Sequence, residues 1–408
     1  MLGAGAVGTV SALKFVQDAM LEQLVIADAV SARASHLADR LRDPRVSSRR
    51  LDAGDRAAVT RALRETGTTI VLNAALPVTN LDVMRACLAA GSDYIDMASG
   101  GTDDDGIPKL EDQFALDAEF RAAGRIALLG MGADPGTTNI YAAYAAKHLF
   151  DEITELRVRD GDNSICHGHD GFVAAFSPWV FIDECLCRAV AYRDGCYHLE
   201  PPLTGSEPFD FPELGVLDCY YVDHEESKTL PRFFPTVRVV DFKMCMDEVT
   251  VETLRVMKRL GLSAKDRVRV GDACVIPRDL VVSLLPQPKD LAGRMRGKTC
   301  VGVLARGHKD GKPRACYIYN VADHEAAYAE LCVQATAYQT GIPPVIAARL
   351  IHERRWSGAG VRSPEEFDPD PFLERLAREG MPWHVRDDTA GSGLPKVRIR
   401  PSRGIVAA

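Results

Sequence analysis

Three glycines at the start of the chain have the spacing G-x-G-x-x-G, as Gly3, Gly5 and Gly8. In such a turn the first glycine permits a tight connection from strand to helix, and the second lets backbone N–H groups approach a pyrophosphate. The third lets the helix pack closely, and the helix N-terminus adds unpaired N–H groups that favour phosphate. The spacing predicts a dinucleotide-binding turn with cofactor contacts at Gly3, Gly5, Ala6, Val7 and Gly8.

An acidic residue follows this turn at the distance that the motif requires. Asp28 comes about twenty residues after the last glycine, at the end of the apolar run 24–27. A carboxylate there can accept hydrogen bonds from ribose hydroxyls and would repel a 2′-phosphate, so the sequence favours NAD. NADP is the alternative, because Arg33 could meet a 2′-phosphate. Only Met1 and Leu2 precede the turn, so either the first strand is abbreviated or the sequence begins within it.

A histidine flanked by carboxylates lies further along, in Asp223-His224-Glu225-Glu226. A histidine among acids titrates near neutral pH and can both donate and accept a proton. If the segment is a strand, alternation places His224 and Glu226 on one face and Glu225 on the other. We predict that His224 is a general acid/base oriented by Glu225 or Glu226. A solvated or intersubunit polar turn is the alternative.

A second cluster, Cys166-His167-Gly168-His169-Asp170, has side chains that bind zinc. Four ligands at a known spacing are lacking, and adjacent positions would have to bend sharply to meet one ion, so we predict no metal site. We expect the segment to form a loop over the active site, with His169 or Asp170 touching substrate. The sequence has no G-x-S-x-G motif to support a Ser/His/Asp hydrolase.

The composition is that of an ordinary globular protein of 408 residues, with 46% hydrophobic and 26% charged residues. This length allows two domains, each with its own core. The net charge of −8 is spread without long runs of one sign, which argues against nucleic-acid or membrane partners. We find no signal-peptide pattern and no apolar run of about twenty residues, so we expect a cytoplasmic protein. The eleven scattered cysteines fit a reducing compartment.

Strand and helix signals alternate over residues 1–135 and predict an α/β fold with a doubly wound (Rossmann) parallel sheet. The predicted strands lie at 24–28, 69–73, 94–96 and 126–129, and the predicted helices at 9–20, 32–41, 56–64 and 81–90. Ligands of such sheets bind beyond the carboxyl ends of the strands. We therefore add Asn73, Ala74, Ala75, Gly132 and Pro135 to the predicted cofactor contacts. Pro135 is expected in the first turn of the following helix.

Short strands recur over residues 136–338 and predict an inserted α+β domain with a mostly antiparallel sheet. Its clearest signal is Asp310-Gly311 between two alternating runs, which predicts a β-hairpin. Helices are predicted at 325–338 and 344–353, and we expect residues 339–385 to return to the first domain. Residues 386–408 are polar and are predicted to form a tail.

Several segments in this order resemble the saccharopine dehydrogenase and carboxynorspermidine dehydrogenase family. They are GAGAVG at 3–8, YIDMASG at 94–100, GMGADPGTTN at 130–139, YYVDHEESKTLP at 220–231 and ATAYQTGIPP at 335–344. The resemblance covers the chain to about residue 380. It implies an NAD(P)-dependent oxidoreductase that couples an amine to a carbonyl compound and reduces the imine, or oxidises a secondary amine in the reverse direction. It also implies a homodimer formed through the sheet of the substrate domain, residues 136–338.

Imine reduction requires a group that protonates the departing hydroxyl of the carbinolamine and groups that hold the substrates. We assign the first role to His224. Asp134 could face the nicotinamide or the amine, or could cap a helix. Asp96, at a strand end, could hold the substrate ammonium, and Lys243 could pair with a substrate carboxylate. Oxidative deamination of free lysine and a catalytically inactive nucleotide-binding regulator are the alternative functions.

Overall fold

The computed structural model describes residues 1–100, 110–169 and 171–389. The predicted substrate contact at Asp170 and residues 390–408 of the predicted tail lie outside the described residues.

Helices and strands alternate in the first part of the chain, as predicted. The helices are α1 (Ala6–Phe15), α2 (Ser31–Leu41), α3 (Arg56–Thr66), α4 (Asn80–Ala90), α5 (Leu110–Phe114) and α6 (Asp117–Ala123). The strands are β1 (Leu24–Asp28), β2 (Val46–Arg50), β3 (Ile70–Asn73), β4 (Asp93–Asp96) and β5 (Ile126–Leu128).

The remaining part is richer in strands. Its helices are α7 (Thr137–Tyr144, continued by a π-helical turn at Ala145–Leu149), α8 (Pro178–Leu186), α9 (Glu226–Phe233), α10 (Glu248–Arg259), α11 (Pro277–Leu284), α12 (His324–Leu331), α13 (Ala335–Gly341), α14 (Pro343–His352) and α15 (Asp370–Arg378). Its strands are β6 (Glu152–Asp162), β7 (Ile165–Cys166), β8 (Ala189–Arg193), β9 (Cys196–Glu200), β10 (Glu207–Phe211), β11 (Gly215–Tyr221), β12 (Val239–Cys245), β13 (Val268–Val270), β14 (Ala273–Val275), β15 (Met295–Arg296), β16 (Lys298–Lys309), β17 (Lys312–Asp323), β18 (Gly360–Arg362) and β19 (Trp383–Asp387).

The first part of the chain forms a parallel sheet in which a single residue takes the place of the central strand. β2 pairs with β1, and β18, β5, β4 and β3 form a second parallel row in that order. Leu2 joins the two rows, because it forms parallel bridges to both Ala27 and Asn73. Hydrogen bonds from Gly3 N to Ala27 O (2.8 Å) and from Ala74 N to Leu2 O (2.7 Å) flank it. The predicted doubly wound parallel sheet is confirmed, with Leu2 in the position of its first strand.

The second sheet has nine strands and is mostly antiparallel, as predicted. Its main order is β10-β11-β12-β6-β16-β17-β19, β8 pairs with β12, and β9 pairs with β8. Among the described strands of this sheet, β12 and β6 are the one parallel pair. The predicted hairpin joins β16 to β17. Its turn residues Asp310 and Gly311 have φ values of 52° and 70°, which suit the right-handed twist of a two-residue hairpin.

The chain returns to the first sheet after it has completed most of the second. β18 pairs in parallel with β5, and α13 packs against α1. At that contact Ser11 Oγ donates to Gly341 O (2.8 Å), and a Cβ on Gly341 would lie 2.6 Å from Val10 Cβ. One hydrophobic cluster extends from Val10 and Ile26 to Phe242, so the two parts share a core. The domain boundaries at residues 135 and 338 stay predictions.

Three helix predictions differ from the structure. The helix predicted at 9–20 begins at Ala6 and ends at Phe15. The helix predicted at 325–338 is interrupted at Cys332, whose left-handed backbone (φ 54°) separates α12 from α13. Pro135 does not lie in the first turn of the next helix, because α7 begins at Thr137. The preceding loop closes on itself instead, through a hydrogen bond from Gly132 N to Pro135 O (2.7 Å).

The predicted start of the tail is also wrong. Residues 383–387 form β19, which pairs antiparallel with β17, so the boundary predicted after residue 385 falls inside a strand. Trp383 anchors this strand, because its ring packs edge-on against Tyr144 with ring centroids 4.7 Å apart. The strand then continues into the predicted tail, where Arg386 and Asp387 pair with Tyr317 and Cys316 of β17.

Candidate active site

The glycine turn has the shape of a phosphate cradle. A Cβ on Gly3 would lie 2.4 Å from Ala74 O, and a Cβ on Gly8 would lie 2.2 Å from Gly3 O, so packing within the protein requires both glycines. A Cβ on Gly5, in contrast, would meet no atom within 4 Å. Gly5 lines a cavity and precedes α1, whose N-terminus has no side-chain cap among the described residues. These amides are therefore open to an anion, as the predicted dinucleotide requires.

Asp28 lies at the end of β1, on the same cavity. Its Oδ2 accepts a hydrogen bond from Ala4 N (2.9 Å) and its Oδ1 accepts one from Val30 N (2.8 Å). These two bonds hold the carboxylate in one orientation and leave each oxygen a further lone pair for a ribose hydroxyl. Arg33 also lines the cavity.

One cavity of about 650 Å³ extends from this cradle to the second sheet. Most of the predicted site residues line it, namely Gly3, Gly5, Ala6, Val7, Gly8, Asp28, Asn73, Ala74, Ala75, Asp134, Pro135 and His224. Gly132 and Glu225 lie behind the lining rather than in it. The cavity wall near the predicted loop is formed by residues 175–180 and not by residues 166–169. In that segment His169 Nε2 contacts Phe172 O (3.2 Å) instead.

Two predicted substrate contacts are used elsewhere in the structure. Asp96 is 1% exposed and does not line the cavity, because its carboxylate accepts hydrogen bonds from Gly130 N (2.7 Å) and Gln113 Nε2 (2.7 Å), among others. Burial raises the pKa of Asp96 to about 7. Lys243 Nζ bonds Glu207 Oε2 (2.8 Å) and Gly205 O (2.7 Å) within the second sheet. Neither residue is placed to meet a substrate in the cavity.

His224 immediately precedes a helix and does not lie on a strand, so the alternation of faces expected for a strand does not apply. Glu225 is the N-cap of α9 and Glu226 is its first residue, which brings both carboxylates to the same imidazole. His224 Nδ1 lies 2.6 Å from Glu226 Oε2 and 3.7 Å from Glu225 Oε2. The ring stacks on Phe242, with centroids 3.8 Å apart and an angle of 7° between the planes. Because Nδ1 is engaged, Nε2 is the nitrogen left for the cavity.

Both glutamates are themselves held by hydroxyl groups. Thr138 Oγ1 donates to Glu226 Oε1 (2.7 Å), and Ser99 donates to Glu225 Oε1 through its backbone N (2.6 Å) and its Oγ (2.8 Å). The atoms that could ligate a metal lie within 4.8 Å of one another, and they already satisfy one another or these hydroxyls. The cluster is therefore built as a hydrogen-bonded acid/base group.

The carboxylates decide the protonation state of His224. Burial alone would lower the pKa of the imidazole, but the negative charges of Glu226, Glu184 and Glu225 outweigh burial and raise it well above its ordinary value. His224 is therefore an imidazolium at neutral pH, ready to donate a proton.

The structure adds two acidic residues that the sequence reasoning missed. Asp160 on β6 and Glu184 on α8 line the cavity beside His224 and Asp134. Glu184 had a detectable signal, because Phe181, Glu184 and Cys185 share one face of α8 and the other two are apolar and buried. An acidic residue on an otherwise apolar face of a helix is a candidate for a residue that lines a cavity. Asp160 gave no comparable signal.

Within the described part of the chain, no helix combines the length and the apolar composition that a bilayer span requires.

Two family models cover most of the chain. Residues 1–128 match the saccharopine dehydrogenase NADP binding domain, and residues 132–381 match the saccharopine dehydrogenase C-terminal domain. The carboxyaminopropylagmatine dehydrogenase of a Synechocystis species is 35% identical, over 94% of this chain and 96% of the relative. The carboxynorspermidine synthase of Vibrio cholerae is 33% identical, over 98% of each chain.

Solved structures share the fold at lower sequence identity. The saccharopine dehydrogenase (L-Glu forming) of Saccharomyces cerevisiae superimposes with a TM-score of 0.68 at 14% identity, covering 95% of this chain and 98% of the other. The homospermidine synthase of Legionella pneumophila, in complex with NAD, gives a TM-score of 0.69 at 17% identity, covering 100% and 95%. The protein is a member of the saccharopine dehydrogenase family and an NAD(P)-dependent dehydrogenase that acts on CH–NH bonds.

Proposed function

We propose that the protein joins an amine of the polyamine type to a carbonyl compound and reduces the resulting imine, with His224 as the proton donor. The observation that carries this proposal is that the dinucleotide cradle and His224 line one cavity. The names of the two curated relatives both denote carboxylated derivatives of such amines, which supports this substrate class.

The bound coenzyme would supply the hydride for the imine carbon. Attack of a neutral amine on the carbonyl carbon gives a carbinolamine, and His224 Nε2 donates its proton to the hydroxyl of that intermediate. The C–O bond then breaks, water leaves and the C=N bond forms. Glu226 holds the imidazole ring through Nδ1, and Phe242 fixes its plane by stacking. These contacts orient the donor before the substrate arrives.

Asp134 is the second group that we place at the reacting nitrogen. It lines the cavity and makes no side-chain hydrogen bond to any described residue. Burial, together with the charge of Asp160, raises its pKa well above the ordinary value. A carboxylate with a raised pKa suits a group that takes a proton from an incoming ammonium.

We propose NAD as the preferred coenzyme, although the matching family model is described as an NADP binding domain. Asp28 supports this preference, because its fixed carboxylate would repel a 2′-phosphate.

We also propose a cytoplasmic homodimer formed through the second sheet. The family resemblance of the sequence, which implies a dimer formed through this sheet, supports the proposal. Light scattering on the purified protein should give twice the mass of one chain, and a monomer at micromolar concentration would contradict the proposal. Cell fractionation tests the location.

The function is tested by following NADH and NADPH oxidation with pairs of amines and carbonyl compounds. Suitable amines are 1,3-diaminopropane, 1,4-diaminobutane and agmatine, and suitable carbonyl compounds are amino-acid semialdehydes and 2-oxo acids. We expect oxidation only when both reactants are present, and a product with their summed mass less one water plus two hydrogens. Reduction of NAD with lysine alone would favour oxidative deamination. Coenzyme binding without turnover across the panel would favour an inactive regulator.

A further inference from the structure

Two carboxylic acids in the cavity have no hydrogen-bond or ion-pair partner among the described residues. Asp160 and Glu184 make no side-chain hydrogen bond and no ion pair to any described residue, and both line the cavity. Glu184 is only 8% exposed. Other buried acids of the second part are paired, such as Asp241, which binds Arg157 (2.9 Å) and Arg159 (2.6 Å). A buried carboxylate without a hydrogen-bond partner is costly, so Glu184 indicates a ligand, and the partly exposed Asp160 is a second such acid in the same cavity.

The adjacent residue on α8 shows how different the environment of Glu184 is. Asp183 accepts from Arg278 Nη1 (2.8 Å) and pairs with Lys265 Nζ (2.6 Å), and it does not line the cavity. Glu184 points the other way, with His224 and Glu225 among the charges that act on it. Two adjacent residues of α8 thus differ: the carboxylate of Asp183 has cationic hydrogen-bond partners, and that of Glu184 has no hydrogen-bond partner among the described residues.

The charges around the cavity favour a cationic ligand at this end. Among the described residues that line it, the lysine and arginine side chains are Arg33, beside the coenzyme cradle, and Lys289, which is exposed. His224 forms its ion pair with Glu226, so its single charge is shared between that partner and the charges of Asp160 and Glu184. Burial raises the pKa of Asp160 to about 7 and that of Glu184 to about 8, as expected for acids that await a positive partner.

We propose that Asp160 and Glu184 bind the cationic group at the non-reacting end of the amine substrate, and so select diamines over monoamines. This inference rests on the proposed imine-forming function. The reacting nitrogen must lose its positive charge before it attacks a carbonyl, whereas the other end keeps its charge throughout. Only that second cation needs a lasting counter-charge. Asp160 on β6 and Glu184 on α8 belong to the substrate part of the cavity, away from the glycine turn.

The test uses Asp160→Asn and Glu184→Gln, which keep the size of each side chain and remove its charge. Steady-state rates are measured with 1,4-diaminobutane and with butan-1-amine, at saturating coenzyme and carbonyl compound. We expect each variant to lower kcat/KM for the diamine by about 10- to 100-fold, mainly through KM. Both substitutions also change the charge near His224 and Asp134, so the monoamine rate will fall as well, and the subsite is measured by the ratio of diamine to monoamine kcat/KM, which we expect to fall by about tenfold or more.

Asp183→Asn is the matched control, because it removes a carboxylate one residue away that faces Arg278 and Lys265. It should lower the melting temperature but leave the ratio of diamine to monoamine kcat/KM unchanged. Equal losses for both amines in Asp160→Asn and Glu184→Gln, or no loss for the diamine, would overturn the subsite.

Calorimetry separates this inference from the proposed function. 1,4-Diaminobutane is titrated into NAD-loaded wild-type protein and into both variants, which measures binding without turnover. If no amine–carbonyl pair is turned over but the diamine binds and the variants bind it at least about tenfold more weakly, the subsite stands and the imine-forming function fails. If turnover occurs and the variants bind the diamine as well as the wild type does, the function stands and the subsite fails. No binding to the wild type and no turnover would overturn both.

Discussion

His224 is the residue on which the proposed chemistry depends. His224→Gln keeps a polar side chain in place but cannot carry a proton, so we expect kcat to fall by about 10²-fold while the Kd for coenzyme stays the same. The exposed His198 on β9 provides the control, because His198→Gln should leave kcat unchanged. A near-normal kcat for His224→Gln would remove the residue from its role.

The pH dependence of the rate tests the same residue. Since the carboxylates around His224 raise its pKa well above the usual value, the proton is present at neutral pH and is lost only as the pH rises through that raised pKa. The rate in the reducing direction should therefore fall on the alkaline side, above the range of an ordinary histidine. A rate that falls as the pH rises from 6 to 7, as for an unperturbed imidazole, would contradict this electrostatic explanation.

The role of Asp28 in the choice of coenzyme can be tested by introducing residues that would bind the 2′-phosphate of NADP. Asp28→Ser combined with Ala29→Arg removes the repulsive charge and supplies a cation for the 2′-phosphate. We expect the ratio of kcat/KM for NADH to that for NADPH to shift towards NADPH by about tenfold or more. An unchanged ratio would show that other residues choose the coenzyme.

At the scale of elements, the glycine turn offers a matched pair of substitutions. Gly3→Ala should lower the melting temperature by several degrees or prevent folding, because its Cβ would meet Ala74 O and its backbone has a φ of 93°. Gly5→Ala should leave the coenzyme-free protein as stable as the wild type and weaken coenzyme binding by at least about tenfold, because the new methyl group would stand only in the cradle. Melting curves and calorimetry measure the two effects. Tight coenzyme binding by Gly5→Ala would exclude the turn as the phosphate site.

Elements with strong local signals could be predicted from the sequence. Three such signals depend on neighbouring residues, and the structure contains the element that each predicts. They are the glycine turn, the alternation that gives a parallel sheet, and the Asp310-Gly311 hairpin. The family and the NAD(P)-dependent action on an amine or imine were also predicted and are confirmed by the family models and relatives. The helical start at Glu226 was missed, because a short run of acids reads equally well as a strand, a turn or a helix end.

Most of the site depends on contacts between distant positions, which one sequence does not reveal. Asp96 was predicted at the substrate because it ends a strand, yet the packing of Gln113 and Gly130 turned it into a buried structural acid. Asp160 and Glu184 meet at the cavity from a strand and a helix that are otherwise unrelated in sequence. Their proximity follows from the assembly of the second sheet, and not from their spacing.

At the scale of the whole molecule, one contact joins the two parts at the acid/base group. Ser99 follows β4 of the first sheet, and Glu225 is the N-cap of α9 in the second part, yet their side chains meet at 2.8 Å. We expect Ser99→Ala to lower kcat by about fivefold while leaving coenzyme affinity intact, because Glu225 loses one of two donors. Ser92→Ala removes a buried hydroxyl that donates to Thr68 O within the first part, and should lower stability without affecting kcat. Equal kcat values in the two variants would separate Ser99 from the chemistry.

That contact makes the orientation of the acid/base group depend on how the two parts of the chain pack together. Among the described residues, both donors to Glu225 are groups of Ser99, so a carboxylate beside the imidazole of the second part is held in place from the first part. A substitution in the first part can therefore change the rate of the reaction without altering any residue that lines the cavity.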